Sequence, residues 1–359
     1  MNQNNGLTIP EHLQMIVEQQ IQKAKYLQDP NTMSFIFFTD SHFVRSSSFI
    51  EIDVLNYINA KMKVEFAVCC GDTLGNEATK ALQMESAATL MKKVTMDNFF
   101  VIKGNHDDNS IQSEDVANIQ STLLPPEYYE VMLKRLEGKV RFDSSTQYGL
   151  YYYYDLPEYK LRSIFLNSID IPYIAHTQRP TAWKYAGQST YAYSDAQLNW
   201  LANTALRLPS RQWNVMLFTH INPFPEGMIG ADAQGYNDQI LLAILEAFKA
   251  GEDYQSKPSA GDFAQSVSVK FSKQGPGKII AFFYGHTHSE QFFDRNGIQY
   301  ISTWNDSPYQ SASNPNAPSR VAGTLSEFCL NVITIDFLQS KLFMTKFGVG
   351  SDAEIKLHL

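Results

Sequence analysis

The stretch Phe35-Ile-Phe-Phe-Thr-Asp-Ser-His42 determines the fold that we expect for this chain. Its four leading apolar residues predict a strand that is buried on both faces, as in the middle of a parallel sheet. Asp40 and His42 follow at the carboxyl end of this strand, where open α/β sheets bind ligands. A turn just after Asp40 would bring the carboxylate and the imidazole together. Such a pair suits a divalent first-row metal ion.

Two later apolar runs also end in ligand-type residues. These are residues 64–70, followed by Gly71-Asp72, and residues 99–103, followed by Gly104-Asn-His-Asp107. Amphipathic segments at 46–62 and 76–91 separate the three runs and predict helices. Alternating strands and helices are typical of a parallel sheet with helical crossovers. Because parallel strands end at the same edge of a sheet, we expect these side chains to lie close together.

The second half of the chain repeats this arrangement. Residues 214–219 predict a strand that ends in His220, and residues 278–284 predict one that ends in Gly285-His-Thr-His288. Five of the eight histidines therefore follow predicted strands. Each motif alone could be an ordinary turn or helix cap, since Gly, Asp and Asn favour both. Together they offer two carboxylates, an amide oxygen and at least four imidazoles, which is enough for two metal ions with one bridging carboxylate.

Composition limits the classes of function. The chain has 359 residues, 44% hydrophobic and 18% charged, and its net charge of −8 argues against a broad, sequence-independent grip on nucleic acid. Its three cysteines, Cys69, Cys70 and Cys329, form no Cys-x-x-Cys pair, which suits a reducing compartment. The polar N-terminal stretch lacks the apolar core of a secretory signal, and we find no apolar run of about 18 residues that could span a membrane. We therefore expect a cytoplasmic protein.

The predicted organisation is one domain with additions. We expect a lead-in helix in residues 1–30, a single domain over 31–350 with insertions or caps around 108–147 and 221–278, and a C-terminal tail at 351–359. Within the domain, a tyrosine-rich strand at 148–156 and a segment at 161–169 predict a hairpin. A Gly/Ser/Lys-rich stretch around 251–261 predicts a mobile loop. Residues 170–193 are irregular, and the sequence leaves open whether they line a cleft or form a surface loop.

The motif series resembles the calcineurin-like metallophosphoesterase family over most of residues 33–349. The residues that carry the resemblance are Asp40-x-His42, Gly71-Asp72, Gly104-Asn-His-Asp107, His220 and Gly285-His-x-His288. It implies a four-layer α/β/β/α sandwich with two packed mixed sheets. It also implies two metal ions, one held by Asp40, His42 and His288, the other by Asn105, His220 and His286, with Asp72 bridging. His106 would then donate a proton to the leaving oxygen, and Asp107 would orient His106.

This chemistry suits hydrolysis of a phosphomonoester or phosphodiester. Metal coordination lowers the pKa of water from about 15.7 toward about 7, which supplies hydroxide at neutral pH. An imidazole with a pKa of about 6.5 can protonate the leaving oxygen, an effect worth about 10²–10⁴-fold in rate. Mn²⁺, Fe²⁺ and Zn²⁺ all suit these ligands. Purple acid phosphatases carry a tyrosine three residues after the bridging aspartate, and Gly75 stands at that position here.

Three alternatives stay open at this point. They are a nuclease of the same fold, which the acidic charge disfavours, a metal-stabilised binding protein without turnover, and a zinc peptidase, for which the chain lacks a His-Glu-x-x-His helix. We expect a small-molecule phosphoester as the partner, rather than nucleic acid or a membrane. The sequence does not identify the substrate or the oligomeric state. Candidate contacts to the phosphate or the leaving group are Tyr173, His176, Arg179 and Lys184.

Overall fold

The computed structural model describes residues 9–110, 118–146, 148–224, 235–307 and 317–359. The helices in chain order are α1 (Glu11–Tyr26), α2 (Ile50–Lys61), α3 (Lys80–Lys93), α4 (Asn118–Ser121), α5 (Pro125–Tyr128), α6 (Asp195–Trp200) and α7 (Asp238–Ala250). The strands are β1 (Thr32–Phe38), β2 (Ala67–Cys69), β3 (Phe99–Val101), β4 (Arg141–Phe142), β5 (Tyr152–Leu156), β6 (Leu161–Phe165), β7 (Asn214–Phe218), β8 (Asp253–Gln255), β9 (Ser268–Lys270), β10 (Lys278–Tyr284), β11 (Gln291–Arg295), β12 (Ile298–Ser302), β13 (Cys329–Asp336), β14 (Lys341–Gly348) and β15 (Ala353–Lys356). Short 3-10 or π-helical turns occupy Tyr129–Leu133, Lys134–Leu136, Pro157–Tyr159, Leu201–Ala205 and Leu325–Glu327.

The strands form two large mixed sheets. The six-stranded sheet has the order β15-β14-β13-β1-β2-β3, and the seven-stranded sheet has the order β11-β12-β10-β7-β6-β5-β4. Strands β1, β2 and β3 run parallel, whereas β13 pairs antiparallel with β1. In the second sheet, β6, β7, β10 and β12 are parallel to their neighbours in that group. In the six-stranded sheet β1 and β2 are interior and β3 is the edge strand, whereas the four parallel strands of the seven-stranded sheet are all interior. The interior position of β1 is the one that its apolar sequence predicts.

Phenylalanine rings pack the two sheets face to face. Every residue of β1 is buried. The ring of Phe35 stacks on that of Phe66, the residue before β2, at 4.7 Å between centroids. It meets Phe218 and Phe283 of the other sheet edge-on, at 5.9 and 5.4 Å. Offset and edge-on aromatic pairs of this kind contribute about 0.5–1.5 kcal/mol each beyond the burial of their area.

Helices cover the outer faces of both sheets. Helix α1 buries Leu13, Val17, Ile21 and Ala24 at helical spacing and contacts β14, and α2 contacts β13. Helix α7 covers the seven-stranded sheet with a stripe that includes Phe248. The layers are therefore helix, sheet, sheet and helix, and the predicted four-layer α/β/β/α sandwich is confirmed. Among the helices that the structure describes, none combines the length and the apolar content needed to cross a bilayer.

Local differences from the predicted elements have identifiable causes. The helix expected from residue 46 begins at Ile50, after Phe49, whose φ of 58° interrupts helical geometry. The helix expected from residue 76 begins after Thr79, whose hydroxyl caps it by accepting from the Leu82 N–H. Part of the stretch expected to be a mobile loop is strand β8, paired with β9. The proposed division at residues 30 and 350 stays a prediction, although β15 within the expected tail pairs with β14.

Candidate metal centre

All candidate ligands follow one of five parallel strands of the two sheets. Asp40 and His42 follow β1, Asp72 follows β2, Asn105 and His106 follow β3, His220 follows β7, and His286 and His288 follow β10. Three of these strands belong to the six-stranded sheet and two to the seven-stranded sheet. Because the two sheets pack face to face, the loops after these five strands meet at one edge of the sandwich.

One group of candidate ligands contains Asp40, His42 and His288. One possible ligand atom from each residue lies within 4.8 Å of the other two. His42 Nε2 is 3.2 Å from His288 Nε2, and His288 Nε2 is 3.3 Å from Asp40 Oδ1. These atoms therefore converge on one point, although the residues come from distant parts of the chain.

A second group contains Asp72, His220 and His286, again with ligand atoms within 4.8 Å of one another. His220 Nε2 is 3.2 Å from Asp72 Oδ2. Asn105 Oδ1 lies 2.8 Å from His220 Nε2 and 3.0 Å from His286 Nδ1, which adds an amide oxygen to this group. Asp72 Oδ2 is also 3.9 Å from His42 Nε2 of the first group. Asp72 thus stands between the two groups.

His106 lies at the accessible side of the centre. Its side chain is 26% exposed, and its Nε2 is 4.0 Å from Asp72 Oδ2. The rings of His106 and His42 meet edge-on at 4.8 Å between centroids. The backbone N–H of His106 donates to Asp72 Oδ1 at 2.8 Å, so the position of this histidine is tied to the central carboxylate. The atoms of His42, Asp72 and His106 also satisfy the same 4.8 Å criterion for a metal group.

Asp107 binds the backbone of two ligand loops. Its buried carboxylate accepts from Gly104 N–H at 2.6 Å and from Leu74 N–H at 2.7 Å. Burial and the nearby charge of Asp72 raise the pKa of Asp107 to about 7. Within the described ranges, no hydrogen bond joins this carboxylate to the His106 ring. Any orientation of His106 by Asp107 acts through the backbone, and that role stays a prediction.

The backbone at the ligands is unusual and explains how they converge. Five candidate ligands have positive φ: Asp40 at 56°, His42 at 47°, Asp72 at 46°, His286 at 69° and His288 at 47°. Non-glycine residues adopt this left-handed region at a cost of about 1–3 kcal/mol each, and such residues concentrate at functional sites. The tight turns let Asp40 and His42 direct their side chains to one group, and His286 and His288 direct theirs to the two neighbouring groups.

The charges within the centre are strongly coupled. Burial alone would raise the pKa of Asp40, but the nearby imidazoles of His288 and His220 lower it to about 2. The pKa of Asp72 is likewise held well below its usual range, because His220 and His106 outweigh the effect of burial. Burial lowers the pKa of His42 to about 4. Against burial, Asp72 and Asp40 raise the pKa of His220 to about 9. Buried carboxylates require compensating positive charge, and this set of oxygen and nitrogen donors fits divalent cations.

The four residues that the sequence suggested as substrate contacts form hydrogen bonds or ion pairs within the protein. The Tyr173 hydroxyl donates to Asp108 Oδ2 at 2.7 Å, and Lys184 pairs with Asp262. His176 Nδ1 accepts hydrogen bonds from the backbone N–H groups of Gln178 and Arg179. The role of these side chains toward substrate stays a prediction. The sequence left open whether residues 170–193 line a cleft or form a surface loop. In the structure, part of this segment contacts the candidate ligands.

Two residues of this segment contact the candidate ligands, and the sequence did not identify them. The backbone carbonyl of Gln188 accepts from Asn105 Nδ2 at 3.3 Å. The hydroxyl of Tyr191 is 3.4 Å from His286 Nε2. The contact of Gln188 is made by a backbone carbonyl, which every residue type has, so the sequence could not indicate it. Tyr191 is one of many tyrosines in the chain, and its sequence position does not distinguish it.

Most of the chain matches a known protein family. A family model described as calcineurin-like phosphoesterase matches residues 33–290, which is more than half of the chain. The chain belongs to the calcineurin-like phosphoesterase family. Its Asp and His groups that could hold metal ions lie at the strand ends that carry the family resemblance. A search of curated proteins found no match.

Solved structures with a related arrangement are distant. A candidate 5'-nucleotidase from Staphylococcus aureus has 12% identity and a TM-score of 0.44, over 91% of this chain and 54% of that one. GAP50, the anchor in the inner membrane complex of Plasmodium, has 11% identity and a TM-score of 0.42, over 91% and 90%. A predicted phosphoesterase from Streptococcus pneumoniae has 12% identity and a TM-score of 0.33, over 91% and 98%. The chain thus spans about half the length of the Staphylococcus aureus protein, and the family assignment rests on the family model.

Proposed function

We propose that this chain is a dinuclear metal-dependent phosphoesterase that hydrolyses a phosphomonoester or a phosphodiester. The residues that would hold one metal ion are Asp40, His42 and His288, those for the other are Asn105, His220 and His286, and Asp72 would bridge. The position of Asp72 carries this proposal. Its Oδ2 lies 3.2 Å from His220 Nε2 on one side and 3.9 Å from His42 Nε2 on the other.

The donor set favours first-row divalent ions. Imidazole and carboxylate ligands suit Mn²⁺, Fe²⁺ and Zn²⁺, and they do not select sharply among them. When bound, such ions supply positive charge for phosphate oxygens and lower the pKa of water. The chain contributes the fixed direction of each ligand. The five positive φ angles direct the side chains that follow β1, β2 and β10 toward the centre.

His106 is the residue that we assign to proton transfer. Its side chain is 26% exposed, which is more than the 15% of His42, the 16% of His288 and the zero of His220. Its backbone hydrogen bond to Asp72 keeps the ring beside the bridging carboxylate. From there it donates a proton to the oxygen of the departing alcohol, which is worth about 10²–10⁴-fold in rate.

A His106→Ala variant tests this assignment. We expect normal Mn²⁺ content, with kcat reduced by about 10²–10⁴-fold on an alkyl phosphate, whose leaving oxygen needs a proton. The loss should be smaller on p-nitrophenyl phosphate, since nitrophenolate leaves without protonation. The matched control is His358→Ala, which removes an exposed histidine paired with Asp294. Full metal content with unchanged hydrolysis of both esters would refute the role of His106.

The alternatives give different results in one assay panel. A nuclease would cleave single-stranded DNA faster than bis-p-nitrophenyl phosphate, and a binding protein without turnover would cleave neither while still holding Mn²⁺. The net charge of −8 is the feature that favours a small ester over a nucleic acid as substrate. Rates on a phosphomonoester and a phosphodiester, measured with Mn²⁺ supplied, would show which ester the chain prefers.

A further inference from the structure

Residues 170–193, which we call the second-wall segment, supply polar partners to one of the two proposed metal groups. We propose that a buried cluster of Lys103, Asp108 and Tyr173 positions this segment so that Gln188 directs the amide oxygen of Asn105 toward its metal ion. This inference rests on the proposed dinuclear site. It assigns a positioning role to residues that are not among the proposed metal ligands.

The amide of Asn105 has only one end that can ligate a metal ion. Its oxygen is an acceptor, whereas its nitrogen carries two hydrogens and can only donate. Nδ2 donates to the Gln188 carbonyl at 3.3 Å, which leaves Oδ1 facing His220 Nε2 at 2.8 Å and His286 Nδ1 at 3.0 Å. A backbone carbonyl on one side thus determines which end of the amide faces the two histidines.

The residue before Gln188 is packed against the ligand loop. The Gly187 N–H donates to Ser110 Oγ at 2.8 Å, and the Ser110 hydroxyl donates in turn to Asp108 Oδ1 at 2.5 Å. A Cβ atom at position 187 would overlap Asp108 Oδ2 and lie 2.9 Å from Ser110 Oγ. The position of the Gln188 carbonyl therefore depends on the side chain of Asp108.

Asp108 is the centre of a closed polar cluster. Asp108 and Lys103 are 0% and 2% exposed. Lys103 Nζ lies 2.9 Å from Asp108 Oδ2, 3.0 Å from the Tyr173 hydroxyl and 3.4 Å from the Ile169 carbonyl. The Tyr173 hydroxyl donates to Asp108 Oδ2 at 2.7 Å. Because Lys103 and Asp108 flank Asn105 in sequence, the cluster joins both ends of that ligand loop to the second-wall segment.

Residues 170–193 contact the ligands of only one of the two proposed metal ions in the described part of the chain. Besides Asn105, the segment contacts His286, whose Nε2 is 3.4 Å from the Tyr191 hydroxyl. Such outer partners hold a ligand histidine in orientation. In the described part of the chain, no hydrogen bond joins residues 170–193 to Asp40, His42 or His288. Loosening the segment should therefore weaken the binding of one ion and leave the other in place.

The test is a Mn²⁺ titration of the full chain carrying Tyr173→Phe, with Tyr185→Phe as the matched control. Both variants lose one hydroxyl from the same segment, but that of Tyr185 donates to Asp262, away from the cluster. We expect two Mn²⁺ per chain in the wild type and in the control. In Tyr173→Phe, affinity for one ion should fall by about 10–100-fold while the other stays tight.

A second readout does not involve a metal ion. In the metal-free protein, backbone hydrogen exchange over residues 104–109 should be faster in Tyr173→Phe than in Tyr185→Phe. If Tyr173→Phe fails to fold, Gly187→Ala, which displaces the segment from Asp108, should show the same two effects. Wild-type affinity for both ions in a folded variant, or unchanged exchange, would overturn the inference. A wild-type chain that binds no Mn²⁺ would instead refute the proposed function.

Discussion

The backbone of Gly71 lies directly against the imidazole of His220. A Cβ atom at position 71 would be 2.5 Å from His220 Cγ, and Gly71 has a φ of +91°. Nδ1 of the same ring donates to the Cys70 carbonyl at 2.8 Å, which leaves Nε2 as the nitrogen facing Asp72 and Asn105. A partner on one ring nitrogen sets the tautomer that frees the other for a metal ion. The glycine makes room for a histidine whose direction is set by the carbonyl beside it.

Gly71→Ala should therefore weaken metal binding as well as stability. The positive φ alone costs a non-glycine residue about 1–2 kcal/mol. The added methyl group must also displace His220. Gly138→Ala is the matched control, since Gly138 has a φ of +78° and no atom of the described residues lies within 4 Å of an added Cβ. We expect both variants to lose stability in urea unfolding, and only Gly71→Ala to lose Mn²⁺ affinity. Equal Mn²⁺ affinity in the two variants would contradict the role given to His220.

Removal of the metal ions should lower stability, and Asp72 should be needed for that effect. A ligand present at 100 times its Kd stabilises the folded state by about 2.7 kcal/mol. We expect Tm to rise when Mn²⁺ is added to the chelated wild-type chain. The same addition should change Tm much less in Asp72→Asn, which loses the carboxylate between the two groups. A full Mn²⁺-dependent rise of Tm in that variant would argue against a bridging role.

Asp107→Asn should destabilise the ligand loops. The carboxylate accepts one backbone N–H with each oxygen, from Gly104 and Leu74. An amide has only one oxygen, so one buried N–H would lose its acceptor and face an NH₂ group. The expected loss is about 1–3 kcal/mol of unfolding free energy. Asp97→Asn changes a side chain that is 93% exposed and should change stability little. If the two variants unfold alike in urea, Asp107 does not join the loops.

Asp238 should make stability depend on pH. Burial raises the pKa of Asp238 to about 7, whereas an unfolded chain has an aspartate pKa of about 3.9. Between these values the unfolded state releases its proton while the folded state keeps it, so the unfolding free energy falls as pH rises and the loss is complete above about pH 7. Asp238→Asn keeps an oxygen for the Gly235 N–H but cannot ionise.

The measurement is Tm at pH 5 and pH 8. The Tm of the wild type should fall more between pH 5 and pH 8 than the Tm of Asp238→Asn. The Tm of the variant relative to the wild type should therefore be highest at pH 8. Parallel changes in the two proteins would show that Asp238 ionises in the folded state as readily as in the unfolded one.

The strand ends were predictable because an apolar run followed by a ligand-type residue is a local pattern. The runs before Asp40, Asp72 and His220 are short, buried and bounded by turns, so their position in a sheet follows from periodicity and length. The contacts of Asp107 and Asp108 were not predictable. Two adjacent aspartates look alike in sequence, yet one binds the backbone of Gly104 and Leu74 and the other binds Lys103 and Tyr173.

The four-layer arrangement was implied by the family resemblance. By itself, the sequence determined the alternation of strands and helices and the set of side chains that follow the strands. Both follow from where apolar runs stop, and burial of apolar surface is insensitive to the detail of each loop. Only the tertiary structure decided which end of Asn105 faces His220 and that residues 170–193 contact one group of candidate ligands. Those features depend on backbone carbonyls and N–H groups such as those of Gln188 and Gly187. Every residue type carries these groups, so only the folded chain shows which of them meet.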